Sequence, residues 1–299
     1  MENFALIFVA IFLGYALSRH NDFAKETPII LNQFIIYISL PAMALLEIPR
    51  LSLSFDVLIP VIVAWIAIGF SAIAILLISK FFKFTREVTG SLMLVGVLGN
   101  TSFVGIPVMQ AYFGDSSIPY VLMYDLLGSF IVLSTYGTFI SVYYSSAENI
   151  DVKAIAKKML TFPPFLSLMV ALLFIGTTFN PVVISVLSAF SSTIVPLALV
   201  AVGFQLRFKL PKEDIKPFFS ALGVKLIFAP IVAIVVVYLF SWENDAALIS
   251  IMESGMGPMI SAGAVASMAG LAPRLSSAIV GYGILISFFT TWILFKVIM

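Results

Sequence analysis

The chain contains no cysteine, a single histidine, and charged residues at only 10% of its positions. Without cysteine there is neither a disulfide framework nor a thiolate metal site, and one imidazole, His20, cannot complete a zinc ligand set. Lysine and arginine number 16 against 15 acidic residues, so the net charge is +1 and the broad basic field of a nucleic-acid binder is missing. No Ser/His/Asp arrangement or metal-ligand cluster stands out, so an enzyme is not expected; His20, in a loop beside other charges, reads as a solvated interfacial side chain. What fills the chain instead is apolar. Hydrophobic residues make up 61% and mean hydropathy is +1.13, against roughly 45–50% apolar and about 25% charged residues in soluble domains. This composition marks an integral membrane protein.

A membrane-crossing helix needs about 20 mostly apolar residues, and the long apolar runs here lack the period of two that barrel strands would show. The runs predict ten spans at about 2–18, 29–46, 56–79, 90–112, 117–143, 162–179, 182–205, 216–240, 246–269 and 275–297. The first is read as a span and not a cleavable signal peptide, because its positive charge follows the apolar run instead of preceding it. Arg19, Lys25, Lys80, Lys83, Arg86, Lys153, Lys157, Lys158, Arg207, Lys209, Lys212, Lys216 and Arg274 fall in loops of one parity, Arg50 and Lys296 on the other. Short loops rich in Lys and Arg stay cytoplasmic, which places both termini outside the cell or in the periplasm of an inner-membrane protein.

The loop SSAENIDVKAIAKKMLTFPP divides the chain into a first repeat over 1–145, a cytoplasmic linker over 146–161 with a short interfacial helix expected in it, and a second repeat over 162–299. Five spans on each side give the halves opposite orientation, the inverted repeat frequent in secondary transporters. Matched breakers support this reading: Pro41 and Pro196 lie in the second and seventh spans, GNTSFVGIP ending at Pro107 in the fourth, and ESGMGP ending at Pro258 in the ninth. A single proline or glycine in a membrane helix is usually a kink. Clusters at mid-span, Gly99, Gly105 and Pro107 set against Gly255, Gly257 and Pro258, predict paired unwound segments lining a shared cavity.

Asp125, Lys225 and Glu253 are the ionisable residues well inside spans. Placing one at the bilayer centre costs about 2.5–3.5 kcal/mol, so each marks a functional site by default. Ser129 lies four residues after Asp125 and so shares its helix face. With Asn100 and Thr101 beside the first break and Glu253 beside the second, the chain offers an all-oxygen set of the kind hard cations prefer, and sodium is the leading candidate. The same carboxylates are suited to exchanging protons. Lys225 has three readings at this stage: it snorkels to the head groups, pairs with an acidic neighbour, or meets the carboxylate of a substrate.

Ten spans in two inverted halves, GNTSFVGIP on the fourth, KLIFAP (Lys225 to Pro230) on the eighth and ESGMGPM on the ninth resemble the auxin efflux carrier family, in the bacterial branch often labelled malonate transporters, over nearly the whole chain. That family is similar to the bile acid:sodium symporters. The resemblance implies an all-α fold of the bile acid symporter and NhaA type, with a scaffold domain from spans 1, 2, 6 and 7 and a core domain from spans 3–5 and 8–10. Spans 4 and 9 would cross at Pro107 and Pro258. It also implies a sodium site at Asn100, Asp125, Ser129, Glu253, Gly255 and Met256, to which the reading of the residues adds Thr101, with Gly99, Gly105, Gly255, Gly257 and Lys225 expected around the substrate. The chain departs from the plant auxin carriers in its short central loop and complete acidic site, which argues against auxin as substrate. Gly257 and Pro258 replace polar residues of the bile acid symporters, which weakens a second sodium site.

The expected function is therefore secondary transport of a small organic anion by elevator-type displacement of the core, coupled to sodium or protons. Malonate, malate and related carboxylates are implied by the resemblance, no organic cofactor is expected, and the scaffold is where a homodimer would form. The competing reading is a membrane receptor that binds ligand in the same pocket without moving it. A receptor usually hands its signal to a soluble domain, and none is apparent in the sequence.

Overall fold

The computed structural model describes residues 2–24, 26–50, 55–145, 160–206 and 214–299. Among these residues the regular elements are helices: α1 (Glu2–Leu17), α2 (Thr27–Arg50), α3 (Phe55–Phe82), α4 (Arg86–Val95), α5 (Ile106–Phe113), α6 (Asp115–Tyr144), α7 (Pro163–Leu173), α8 (Pro181–Gln205), α9 (Ile215–Leu239), α10 (Asp245–Ser254), α11 (Ile260–Met268) and α12 (Pro273–Ile298). Six of them, α2, α3, α6, α8, α9 and α12, are long and apolar enough to cross a membrane. Their ends agree with the apolar runs to within about four residues, the usual uncertainty of a helix boundary and a little more. The other runs are shorter helices in the structure. α7 stops at Leu173, short of residue 179, because Phe174 leaves the helical region and the chain turns at Gly176 (φ 79°), whose N–H donates to the Pro49 carbonyl. The fourth and ninth runs are each divided, into α4 and α5 and into α10 and α11. Most of the linker, with the interfacial helix expected in it, lies outside the described residues, as do Lys25, Lys153, Lys157, Lys158, Arg207, Lys209 and Lys212.

Local sequence explains where these helices start and where they loosen. Thr85, Asn180 and Asn244 cap α4, α8 and α10, their side chains accepting from the backbone N–H groups of Val88, Val182 and Ala247. Three π turns, Ile35–Ser39, Thr101–Gly105 and Val224–Phe228, each end two residues before a proline: Pro41, Pro107 and Pro230. Proline lacks the N–H that an α turn would use and its ring crowds the carbonyl four residues back; widening the preceding turn relieves both. A further π segment, Met123–Phe130 in α6, has no such proline.

Packing sorts the helices into two groups. α1 lies along the second half of α8 so closely that a Cβ on Gly14 would stand 2.1 Å from the Val200 carbonyl oxygen, and one on Gly203 2.2 Å from that of Ile11. α2 packs on α7 and on both halves of α8. In the other group α3 is covered by α6, α9 and α10, while α11 lies against α4 and α12. The groups meet where α8 touches the turn Thr101–Gly105 and where α1 touches α5. That turn directly follows the first helix break.

Candidate functional site

The two breaks are built alike. α4 ends at Val95 with Gly96 at φ −86°, ψ −10°, and α10 ends at Ser254 with Gly255 at φ −89°, ψ 1°. Beyond these stops the two extended stretches pair antiparallel, with Gly99 opposite Pro258. Asn100 N–H donates to the Gly257 carbonyl at 2.7 Å, and Met259 N–H to the Leu98 carbonyl at 2.9 Å. The last carbonyls of α10 are likewise accounted for: Ile251 accepts from Ser254 Oγ, Met252 from Gly255 N–H, Glu253 from Met256 N–H, and Ser254 from Lys225 Nζ at 2.6 Å. Unwound backbone at this depth is tolerable because protein, not lipid, satisfies it.

The pairing corrects one expectation. Pro107 is not at the meeting point; Gly99 is. Pro107 lies inside the continuous helical stretch 101–113, and the π turn before it accommodates its missing N–H. The proper match for Gly255 to Pro258 is thus Gly96 to Gly99, eight residues upstream of the alignment suggested by Gly105 and Pro107.

The polar side chains gather around this pairing. Asp125, 3% exposed on α6, accepts from the hydroxyls of Thr101 and Ser102, the latter at 2.5 Å. Ser129, the partner expected from helical spacing, is not among its hydrogen-bond donors. Asp125 and Ser129 both lie in the π segment, and the hydroxyls of Thr101 and Ser102 occupy the carboxylate in its place. Ser129 is nonetheless buried. Asn100 caps the turn at Thr101, its Oδ1 accepting from Phe103 N–H at 3.2 Å, while its buried Nδ2 has no partner. Both carboxylate oxygens of Glu253 are buried without a hydrogen-bond partner. The charges that act on Glu253 are those of Asp125 and Lys225. A Cβ on Gly105 would lie 2.6 Å from each of its oxygens, so the glycine is what admits the carboxylate. Lys225, 3% exposed, does not snorkel; it points into the break and holds Ser254 O. Met256 is fully buried.

A cavity of about 10 Å³, room for a single water-sized occupant, is lined by Gly99, Thr101, Ser129, Lys225, Glu253 and Ser254, with Ser71 of α3 and Tyr124 of α6. A second cavity, about 280 Å³ and open, lies between the two groups of helices. Its polar wall is Ser18, Gln205, Ser267 and Ser277, and Ile260 and Gly263 at the start of α11 form its inner end. Sequence reading missed Ser102, Tyr124 and Gln205. The one local signal for Ser102 was its hydroxyl next to Thr101; for Gln205 it was an amide ending an apolar run.

A family model described as membrane transport protein matches residues 1–295. An uncharacterized transporter of Methanocaldococcus jannaschii is 28% identical over 265 residues, covering 86% of this chain and 85% of that one. An uncharacterized transporter of Methanothermobacter thermautotrophicus is 23% identical over 259 residues, covering 85% and 84%.

Proposed function

The chain belongs to the membrane transport protein family, that of the auxin efflux carriers, and on this premise we propose that it is a secondary active transporter of a small organic anion, coupled to sodium or protons at Glu253. The observation that carries the reading is Glu253 itself. A carboxylate with both oxygens buried and unpartnered is costly unless it binds something in the working cycle, a proton or a cation. The hydroxyl oxygens of Thr101 and Ser129 line a cavity for one small occupant beside Glu253 and are offered as further ligands, with Asp125 bonded to Thr101 behind them. Taking α4 with α5 and α10 with α11 as one interrupted crossing each gives ten crossings in two inverted halves, whose broken members cross at Gly99 and Pro258.

For the substrate we favour the larger cavity, on its cytoplasmic side in the orientation set by the basic loops. Its lining offers hydroxyls and an amide but no acidic group, and α11 begins there without a side-chain cap, presenting the positive end of its dipole. Moving the core helices α3–α6 and α9–α12 past a rigid scaffold of α1, α2, α7 and α8 would carry the α11 and α12 side of this wall, Ser267 and Ser277, across the membrane while Ser18 and Gln205 stay with the scaffold. The tight α1–α8 contact supports rigidity on the scaffold side. The outward face of α8, with Val182, Val186 and Phe190 exposed, is where we place a homodimer contact.

Purified protein melted against sodium, pH and a panel of dicarboxylates tests the ion assignment, since ligands of the native state raise its apparent stability. Wild type is expected to melt higher with sodium or to show a pH-dependent midpoint, and Glu253→Gln to lose that response. An unchanged ion response in the variant would remove Glu253 from the coupling site.

A further inference from the structure

Lys225 is the buried charge that the proposed function leaves without a task. It sits in the π turn of α9 with its ammonium directed into the space between the two breaks. Nζ donates to the Ser254 carbonyl at 2.6 Å. On the other side the first break makes room for it: a Cβ on Gly99 would stand 3.0 Å from Lys225 Cε and 3.1 Å from Nζ, and the Met256 carbonyl oxygen lies 3.7 Å from the same point. Glu253 lines the same small cavity, yet no ion pair within 4.0 Å joins the two among the described residues. The ammonium has therefore chosen the carbonyl end of α10 over the carboxylate beside it.

That position has a defined chemistry. The C-terminus of a broken helix presents carbonyl oxygens with excess negative potential, and in an unwound membrane helix such oxygens are ready ligands for an alkali cation. We infer that the Lys225 ammonium is a resident cation that takes the place of an inorganic one at the second break, filling the carbonyl position at the end of α10 so that ion exchange is left to Glu253. The side chain is tethered, so its charge travels with the core helices in every state and adds nothing to the number of ions moved per cycle. Gly99 is the complementary half of the device, since any larger residue would crowd the lysine stem.

This inference rests on the reading of Glu253 as the coupling site, and the test separates the two. The full-length purified protein is melted at constant ionic strength in choline, sodium, lithium, potassium and methylammonium chlorides, as wild type, Lys225→Ala and Lys225→Arg. Lys225→Ala is expected to gain a sodium-dependent rise in melting temperature beyond the wild-type response, about 5 °C at a concentration roughly a hundredfold above Kd, and to be stabilised by methylammonium where wild type is not. Lys225→Arg, which keeps the charge, gains neither. A Lys225→Ala protein that melts cooperatively with only the wild-type ion response overturns the inference, as does an Arg variant that gains the same step as Ala. If Lys225→Ala does not fold in choline, it is purified throughout in sodium or methylammonium; recovery of folded protein supports the inference, and failure in both overturns it. A wild type that responds to neither sodium nor pH counts against Glu253 instead, and leaves the gain in Lys225→Ala as a separate result.

Discussion

At the scale of the residue, the site is organised by what each polar atom has or lacks. Asp125 is held by the hydroxyls of Thr101 and Ser102, Lys225 by the Ser254 carbonyl, and Glu253 by no hydrogen bond. Gly105 belongs to the same arrangement because Glu253 rests against its Cα. Gly105→Ala is expected to force the carboxylate away, abolish the ion response and cost about 1–3 kcal/mol, since a methyl group in a filled site displaces its neighbours. Thermal melts in the presence and absence of sodium would measure both effects; an alanine variant with wild-type stability and ion response would show that the contact does not matter. Asp125, Lys225 and Glu253 were legible from sequence because charge in an apolar run is expensive wherever it falls. The Gly105–Glu253 contact and the Ser102–Asp125 bond were not, because both join residues distant in the chain and depend on how the turn Thr101–Gly105, α6 and α10 are set against one another.

At the scale of the element, composition located the breaks but not their register. Gly, Asn and Pro between residues 96 and 107 announced an interrupted helix, yet proline was given a role that its neighbours perform. The chain pairs at Gly99, and Pro107 acts locally on the turn before it. Two substitutions separate these roles. Pro107→Ala, at a position where the π turn already accommodates the proline, is expected to change stability by less than about 1 kcal/mol. Gly283→Ala on α12 would set a methyl 2.5 Å from Pro258 Cδ and 2.9 Å from a Leu222 methyl, and is expected to lower stability by about 1–3 kcal/mol by pushing on the paired segment. Comparable melting of the two variants would contradict this account of the pairing. The π turns are a related case. Three announce themselves by a proline two residues on, while the one carrying Asp125 has no such marker.

At the scale of the whole molecule, apolar runs were enough to place the long helices, because hydrocarbon thickness and the need to satisfy backbone groups leave few alternatives. They were silent on the cavity between the two groups of helices. Ser18, Gln205, Ser267 and Ser277 come from well-separated parts of the chain and become one wall only when α1, α8, α11 and α12 are assembled. The proposal joins the α11 and α12 side of that wall to Glu253 through the paired breaks, while Ser18 and Gln205 stay with the glycine-sealed pair α1 and α8. Its central claim is that the chain moves an organic anion at the expense of an ion bound at Glu253. The direct measurement is uptake of radiolabelled dicarboxylates into proteoliposomes under imposed sodium or proton gradients, with wild type and Glu253→Gln compared side by side. Gradient-driven accumulation by wild type that is lost in Glu253→Gln is the predicted result; saturable binding without flux under any gradient, or equal accumulation by both proteins, would contradict it.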